Sequence, residues 1–280
     1  MSGAINTAYV LGGGGRWGAV EVGMLRALND AGIQPDIILG TSIGAFNGSV
    51  IADDPGPVGV QRLADFWDEL AGANLFQTSV FSTIKNVATL QPAIHRSAEL
   101  QLFLEHMHGS RKRIEDLQVP FQCVAASIQS AAEHWFTGGP LIPALLASSA
   151  VPVLFPPVEI EGEHFYDGGL VNSVPLTRAV DLGASVIYVL QVGRLEAPLR
   201  PPERLHEAAL ISFEIARRNR YATALETLPK DVDVHVLSSG NPVEFDDRRQ
   251  LRWRDTRDTS DLIDGAYKAS GNYLKENGLS

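Results

Sequence analysis

The chain has 280 residues, 45% hydrophobic and 20% charged, with a formal net charge of −10. That length and apolar content suffice for one large core, or at most two small ones. The acidic balance argues against a general affinity for nucleic acid or anionic membrane, and the single cysteine, Cys123, excludes an intramolecular disulfide, which suits a reducing cytoplasm. The first residues, Met1-Ser2-Gly3-Ala4-Ile5-Asn6, lack a charged region followed by a long apolar core, so no Sec leader is expected.

Thr7-Ala8-Tyr9-Val10-Leu11 reads as a strand, and Ala19 to Ala31 as a helix, with Val22, Leu25 and Leu28 at spacings of three and Gly32 as a stop. Between them lies Gly12-Gly13-Gly14-Gly15-Arg16-Trp17-Gly18. A glycine run between strand and helix presents backbone N–H groups to an anion, aided by the positive end of the helix dipole. The anion is a phosphate or the oxyanion of an acyl-transfer intermediate. Gly13, Gly15 and Gly18 also fit the dinucleotide fingerprint. That reading needs an acid at the far end of the second strand, whereas Asp36 stands at its start.

The second strand, Ile37-Ile38-Leu39, runs into Gly40-Thr41-Ser42-Ile43-Gly44. A G-x-S-x-G at a strand end is the sequence form of a nucleophile elbow, a sharp strand-to-helix turn that exposes the serine hydroxyl. Glycines two residues either side leave room for the strained backbone. Further strands are expected at Phe121 to Ala126, Ser185 to Leu190 and Val232 to Leu237, and a last helix from Thr259 to Glu276 with Leu262, Ile263, Ala266 and Tyr267 on one face. This alternation implies a three-layer α/β/α fold with a mostly parallel central sheet. Glu163-His164-Phe165-Tyr166 is a short strand candidate that ends on Asp167-Gly168-Gly169. An Asp before two glycines either caps a turn or supplies a proton acceptor to the elbow serine.

A glycine-rich loop, then G-T-S-x-G, then a distal D-G-G is the order found in patatin-like phospholipases, and the chain resembles that family over about residues 5–195. Gly23 to Leu28 is similar to the family's first helix, Ala147 to Pro157 to its segment before the aspartate, and Asp167 to Pro175 to the segment after it. The resemblance implies a Ser–Asp dyad that cleaves lipid esters (phospholipid, lysophospholipid or acylglycerol) through an acyl-serine. Ser42 is then the nucleophile and Asp167 the general base. The backbone of Gly13, Gly14, Gly15 and Arg16 is the oxyanion hole, and Gly18, Gly40, Gly44, Gly168 and Gly169 support the motifs. No metal or organic cofactor is implied, and the partners are a lipid or acyl-ester substrate and a transiently touched membrane surface, not nucleic acid. Two positions depart from the family pattern. Trp17 stands where relatives carry Lys or Arg, with Arg16 one place earlier, and Ser173 stands where many carry Asn. Packing is the favoured role for Trp17.

Residues 1–280 are expected to form a single acyl hydrolase domain, with C-terminal helices and a last strand over 196–280. Residues 53–97, opened by Asp53-Asp54-Pro55-Gly56-Pro57, carry Phe66, Trp67, Leu75, Phe76, Val80 and Phe81. Two readings stand for this segment: a mobile cap over an acyl chain, or aromatics that plug the core. Arg204 to Arg220 reads as an amphipathic helix that packs with a solvated basic edge carrying Arg217, Arg218 and Arg220, in preference to a membrane anchor. No uninterrupted apolar run is long enough to span a bilayer, since Leu141 to Val158 is broken by four prolines. Cys123, inside a strand candidate, is expected to be inert. Two rival readings remain open. One is a Ser42–Asp167–His triad, with His206 or His235 third, as in α/β-hydrolases. The other is a non-catalytic acyl-binding module on the same fold. The seven histidines show no zinc-ligand spacing.

Overall fold

The computed structural model describes residues 5–72, 91–152, 154–192, 199, 201–202, 205–240 and 259–280. Five parallel strands form the centre of the sheet: β1 (Thr7–Leu11), β2 (Ile37–Thr41), β3 (Phe121–Ser127), β7 (Val186–Leu190) and β8 (Asp233–Leu237). Each coincides with an apolar run expected from the sequence. Three antiparallel strands complete it: β4 (Ala132–Phe136) and β6 (Glu163–Asp167) pair with β3, and β5 (Val158–Ile160) pairs with β6.

Side-chain alternation along these strands builds the two cores. Tyr9, Leu11 and Ile38 join the larger cluster, while Ala8, Val10, Ile37 and Leu39 join the other. The large cluster is closed by α1 (Ala19–Asp30), α2 (Ile43–Asp53), α3 (Pro57–Gly72), α5 (Leu141–Ser148) and α8 (Thr259–Glu276). Phe103 of α4 (Gln91–His108) packs against it as well. The smaller cluster lies under α6 (Leu176–Asp181) and α7 (Leu205–Glu226), through Leu176, Ala179, Tyr221 and Ala224. Helices therefore cover both faces of a mostly parallel sheet.

Within the segment with two readings, Phe66 and Trp67 are buried, and Phe66 packs against Phe46 and Phe103 with ring centroids 4.6 and 4.4 Å away. Those two aromatics plug the core. Leu75, Phe76, Val80 and Phe81 lie outside the described residues. Cys123 is fully buried in β3, where desolvation pushes its thiol far up from its ordinary range. Asp36 accepts the Asn6 and Thr7 N–H groups at 3.0 and 2.9 Å, so it caps the start of β1 at the opposite end of the sheet from the glycine loop.

The register of β3 positions the site. β2 pairs with its first half, Thr41 opposite Val124, and β4 pairs with Cys123 through Ser127 on the other edge. β6 begins where β2 stops, with Asp167 opposite Ala125. A strand residue has only two edges, and Ala125 already shares one with His134 of β4. β2 and β6 therefore lie end to end along one edge of β3, and Ser42 and Asp167 meet at the join.

Candidate active site

Ser42 follows β2 at φ 55°, ψ −123°, a backbone conformation that costs a non-glycine residue on the order of 1–3 kcal/mol. Its surroundings hold it there. The Ser42 N–H donates to Ser148 Oγ at 3.0 Å, and that hydroxyl donates onward to the Val124 carbonyl at 2.7 Å. Close approach explains the flanking glycines: a Cβ on Gly40 would stand 2.4 Å from Ala45 Cα, and one on Gly44 2.4 Å from the Leu11 carbonyl oxygen. Ser148 is fully buried, so Ser148→Ala would strand the Ser42 N–H. That substitution is expected to destabilise the protein by about 1–3 kcal/mol in urea melts and to lower turnover roughly tenfold as the elbow loosens.

Asp167 is 1% exposed. Its Oδ1 accepts the Gly169 N–H at 2.7 Å, whereas Oδ2 is buried with no hydrogen bond of complete geometry among the described residues. Desolvation is the dominant influence and pushes the carboxyl up to about 6. The nearby Ser42 hydroxyl, the Gly169 N–H and the Arg217 charge pull the other way. The Ser42 hydroxyl is therefore near enough to favour the carboxylate. Gly168 and Gly169 are buried beside the acid, where a Cβ on Gly168 would stand 2.2 Å from the Val124 carbonyl oxygen.

The glycine loop lies against the elbow, with an ideal Gly13 Cβ position 3.3 Å from Ser42 Cβ. Its four named donors are not equivalent. The Gly13 N–H is engaged, donating to the Ser173 carbonyl at 3.0 Å. Among the described residues the Gly14 and Gly15 N–H groups have no backbone acceptor. The loop amides left without a backbone acceptor are thus those of Gly14 and Gly15, and Arg16 follows within a 3-10 turn, Gly15–Gly18. Gly18 packs under Ile43 and Trp67, and Trp17 is half-buried against the large core, as the packing reading expects.

His235 does not join this group. It lies on β8, three strands from β2 in the order β2-β1-β7-β8, which at normal strand spacing is about 14 Å away. Its ring stacks on Tyr188, and Nδ1 lies 3.2 Å from the Tyr273 hydroxyl. The His206 side chain lies outside the described residues. No cluster of His, Cys, Asp and Glu suited to a metal ion occurs among the described residues, and no helix there is long and apolar enough to cross a membrane.

Three residues not singled out in the sequence for a role at the site support it. Glu21 is fully buried on α1, its Oε2 accepting from Asn47 Nδ2 at 2.6 Å. Asn47 also donates to the Gly18 carbonyl at 2.9 Å and accepts from Trp67 Nε1 at 3.1 Å, tying the loop to α2 and α3. Burial holds the Glu21 carboxyl well above its ordinary range. A signal existed, since Glu21 is the one charged residue in the run Ala19 to Leu25, between Val20 and Val22. The third is Arg217. Instead of lying on a solvated edge it is buried, 6% exposed, with Nη1 donating to the Gly13 carbonyl at 3.0 Å. Glu214 pairs with it from one turn earlier at 2.8 Å through both carboxylate oxygens.

Several known proteins are similar to this chain. The chain is 33% identical over 188 residues to rat patatin-like phospholipase domain-containing protein 7, and 32% identical over 189 residues to patatin-like phospholipase domain-containing protein ZK370.4 of Caenorhabditis elegans. It is 31% identical over 191 residues to the lysophospholipase nte1 of Aspergillus terreus. These matches cover 66%, 67% and 68% of this chain but only 13%, 14% and 12% of those much longer relatives. A crystal structure of VipD from Legionella pneumophila aligns with 98% of this chain and 67% of its own at 13% identity, with a TM-score of 0.46. The profile of the patatin-like phospholipases matches residues 9–180, which hold the glycine loop, the elbow and the aspartate together, and the chain belongs to that family.

Proposed function

We propose that the protein hydrolyses lipid esters with a Ser42–Asp167 dyad, residues 1–280 acting as one catalytic domain. The observation that supports this reading is the join of β2 and β6 on β3, with the elbow serine near a buried carboxylate whose Oδ2 has no hydrogen-bond partner among the described residues. Ser42 Oγ attacks the ester carbonyl while its proton passes to Asp167 Oδ2. Oδ1 is held by Gly169 and keeps the carboxylate oriented. The oxyanion accepts from the Gly14 and Gly15 N–H groups. Collapse expels the alcohol, which takes the proton from Asp167, and a water activated by the same carboxylate then frees the acid and restores Ser42. No step requires a metal or an organic cofactor.

The proposed substrates are phospholipids, lysophospholipids or acylglycerols, met by transient contact with a lipid surface in the cytoplasm. A monoacyl phospholipid is the first to test, because the related fungal protein carries the name lysophospholipase. A fluorophosphonate probe should label Ser42, located by peptide mass, and lysophosphatidylcholine and p-nitrophenyl esters should be hydrolysed. A folded protein that neither labels nor turns over these substrates or phosphatidylcholine would instead be an acyl-binding module.

A further inference from the structure

Arg217 departs from the usual behaviour of surface arginines on a packing helix. A guanidinium removed from water needs nearly all its donors satisfied. Glu214 supplies a forked partner on Nε and Nη2, and the Nη1 group is directed to the glycine loop, 3.0 Å from the Gly13 carbonyl and 3.4 Å from Ser173 Oγ. The Gly13 carbonyl and the Gly14 N–H belong to one planar trans peptide, so they point in opposite directions. One end of that unit is bound to a cation, and the other is the N–H with no backbone acceptor among the described residues.

We propose that Arg217 is a positioning residue for the oxyanion site, fixing the plane of the Gly13–Gly14 peptide and polarising it so that the Gly14 N–H becomes a stronger donor to the reacting oxygen. A hydrogen bond accepted by an amide carbonyl strengthens the bond donated by the same amide. A charged donor in a dry setting does so more than a neutral one. The same cation acts on Asp167 and favours its ionised form. It is the charged group that reaches the acid from α7, with Glu214 and Arg218 behind it. β3 and α5, which also pack there, contain no charged residue, and Glu159, Glu163 and His164 sit at the far end of the β5–β6 pair. Arg217 lies beyond residues 9–180, the segment that matches the family profile. This inference rests on the proposed dyad.

The test compares Arg217→Met, Arg217→Lys and the double variant Arg217→Met/Glu214→Leu with wild type on a p-nitrophenyl ester, using Ser42→Ala as the control for the dyad. Glu214 keeps Arg218 as a partner at 2.8 Å when Arg217 is replaced, and the double variant removes the carboxylate as well, so the two variants together separate loss of the fold from loss of the cation. The expected result is a kcat lowered about 10–100-fold with KM within about twofold, slower fluorophosphonate labelling of Ser42, and an acid limb of kcat/KM moved to higher pH. Arg217→Lys should return the acid limb, because it restores the charge, but only part of kcat, because an ammonium cannot hold Glu214 and Gly13 at once. A folded double variant with wild-type kcat and an unmoved acid limb would overturn the proposal. So would an Arg217→Lys protein that is stable, correctly folded and unaltered in kcat. Activity surviving in Ser42→Ala would instead refute the dyad itself.

Discussion

Asp167→Asn is expected to lose turnover by about 10⁴-fold and at the same time to become more stable than the wild type above pH 6. The two effects have one cause. Burial has raised the Asp167 carboxyl from its ordinary 3.8 to about 6, so the folded protein holds this proton more tightly than the unfolded chain does. Between those values folding binds a proton, and the wild-type stability falls as pH rises from about 4 to about 6. Above that range the ionised buried carboxylate costs about 3 kcal/mol relative to its exposed state. Asparagine keeps an acceptor for the Gly169 N–H and has no such slope. Urea melts of both proteins across pH 4 to 8 should therefore give curves that converge in acid and separate by up to about 3 kcal/mol at neutral pH. The acid limb of wild-type kcat/KM should fall near pH 6, reporting the same group in the working enzyme. A pH-independent stability difference would mean that the carboxylate is solvated and that desolvation does not set its basicity.

The second large effect is expected at Ser42, where two substitutions with the same catalytic outcome should differ in stability. Ser42→Ala and Ser42→Gly should each remove turnover by about 10⁴-fold or more, because the elbow's other hydroxyl, Thr41 Oγ1, is buried and donates to the Asn172 carbonyl at 2.8 Å. Alanine, however, inherits φ 55°, ψ −123°, whereas glycine reaches this region with little strain. After subtracting the extra chain entropy that glycine loses on folding, Ser42→Gly should be the more stable of the pair by about 1 kcal/mol. Thermal and urea denaturation of both variants, with circular dichroism as the probe, would decide it. An alanine variant at least as stable as the glycine variant would show that the elbow is unstrained.

Much of this architecture could be read from residue order alone. Thr7–Leu11 and Thr259–Glu276 matched the expected limits because strand and helix periodicity are local, and Gly32 marked the end of the first helix. β4 and β5 were not foreseen. Ala132 to Phe136 mixes exposed and half-buried residues around Glu133 and His134, and Val158 to Ile160 is only three residues long, so neither shows a period. The candidate catalytic residues were legible as motifs, but their meeting was not, since it depends on how two strands far apart in the chain share one edge of a third. Arg217 was hidden for a similar reason. Its partner on the loop is 204 residues away, and only tertiary packing separates it from Arg220, 52% exposed on the same helix. Gly13 shows a different gap: the sequence supplies four candidate donors but not which amide another carbonyl has already taken.

β2 and β6 are not paired with each other, and the strand they share as a ladder partner is β3. β3 therefore works as a ruler for the chemistry. Sliding β6 along it by one residue would turn the Asp167 side chain to the opposite face of the sheet, away from Ser42. A two-residue slip would keep the face but carry the carboxylate about 7 Å along the strand. Neither error would remove a strand or a helix. A misregistered chain could thus present nearly all its secondary structure and lack its reaction entirely, so the fidelity of one antiparallel pairing, rather than the amount of folded structure, fixes the fraction of competent molecules.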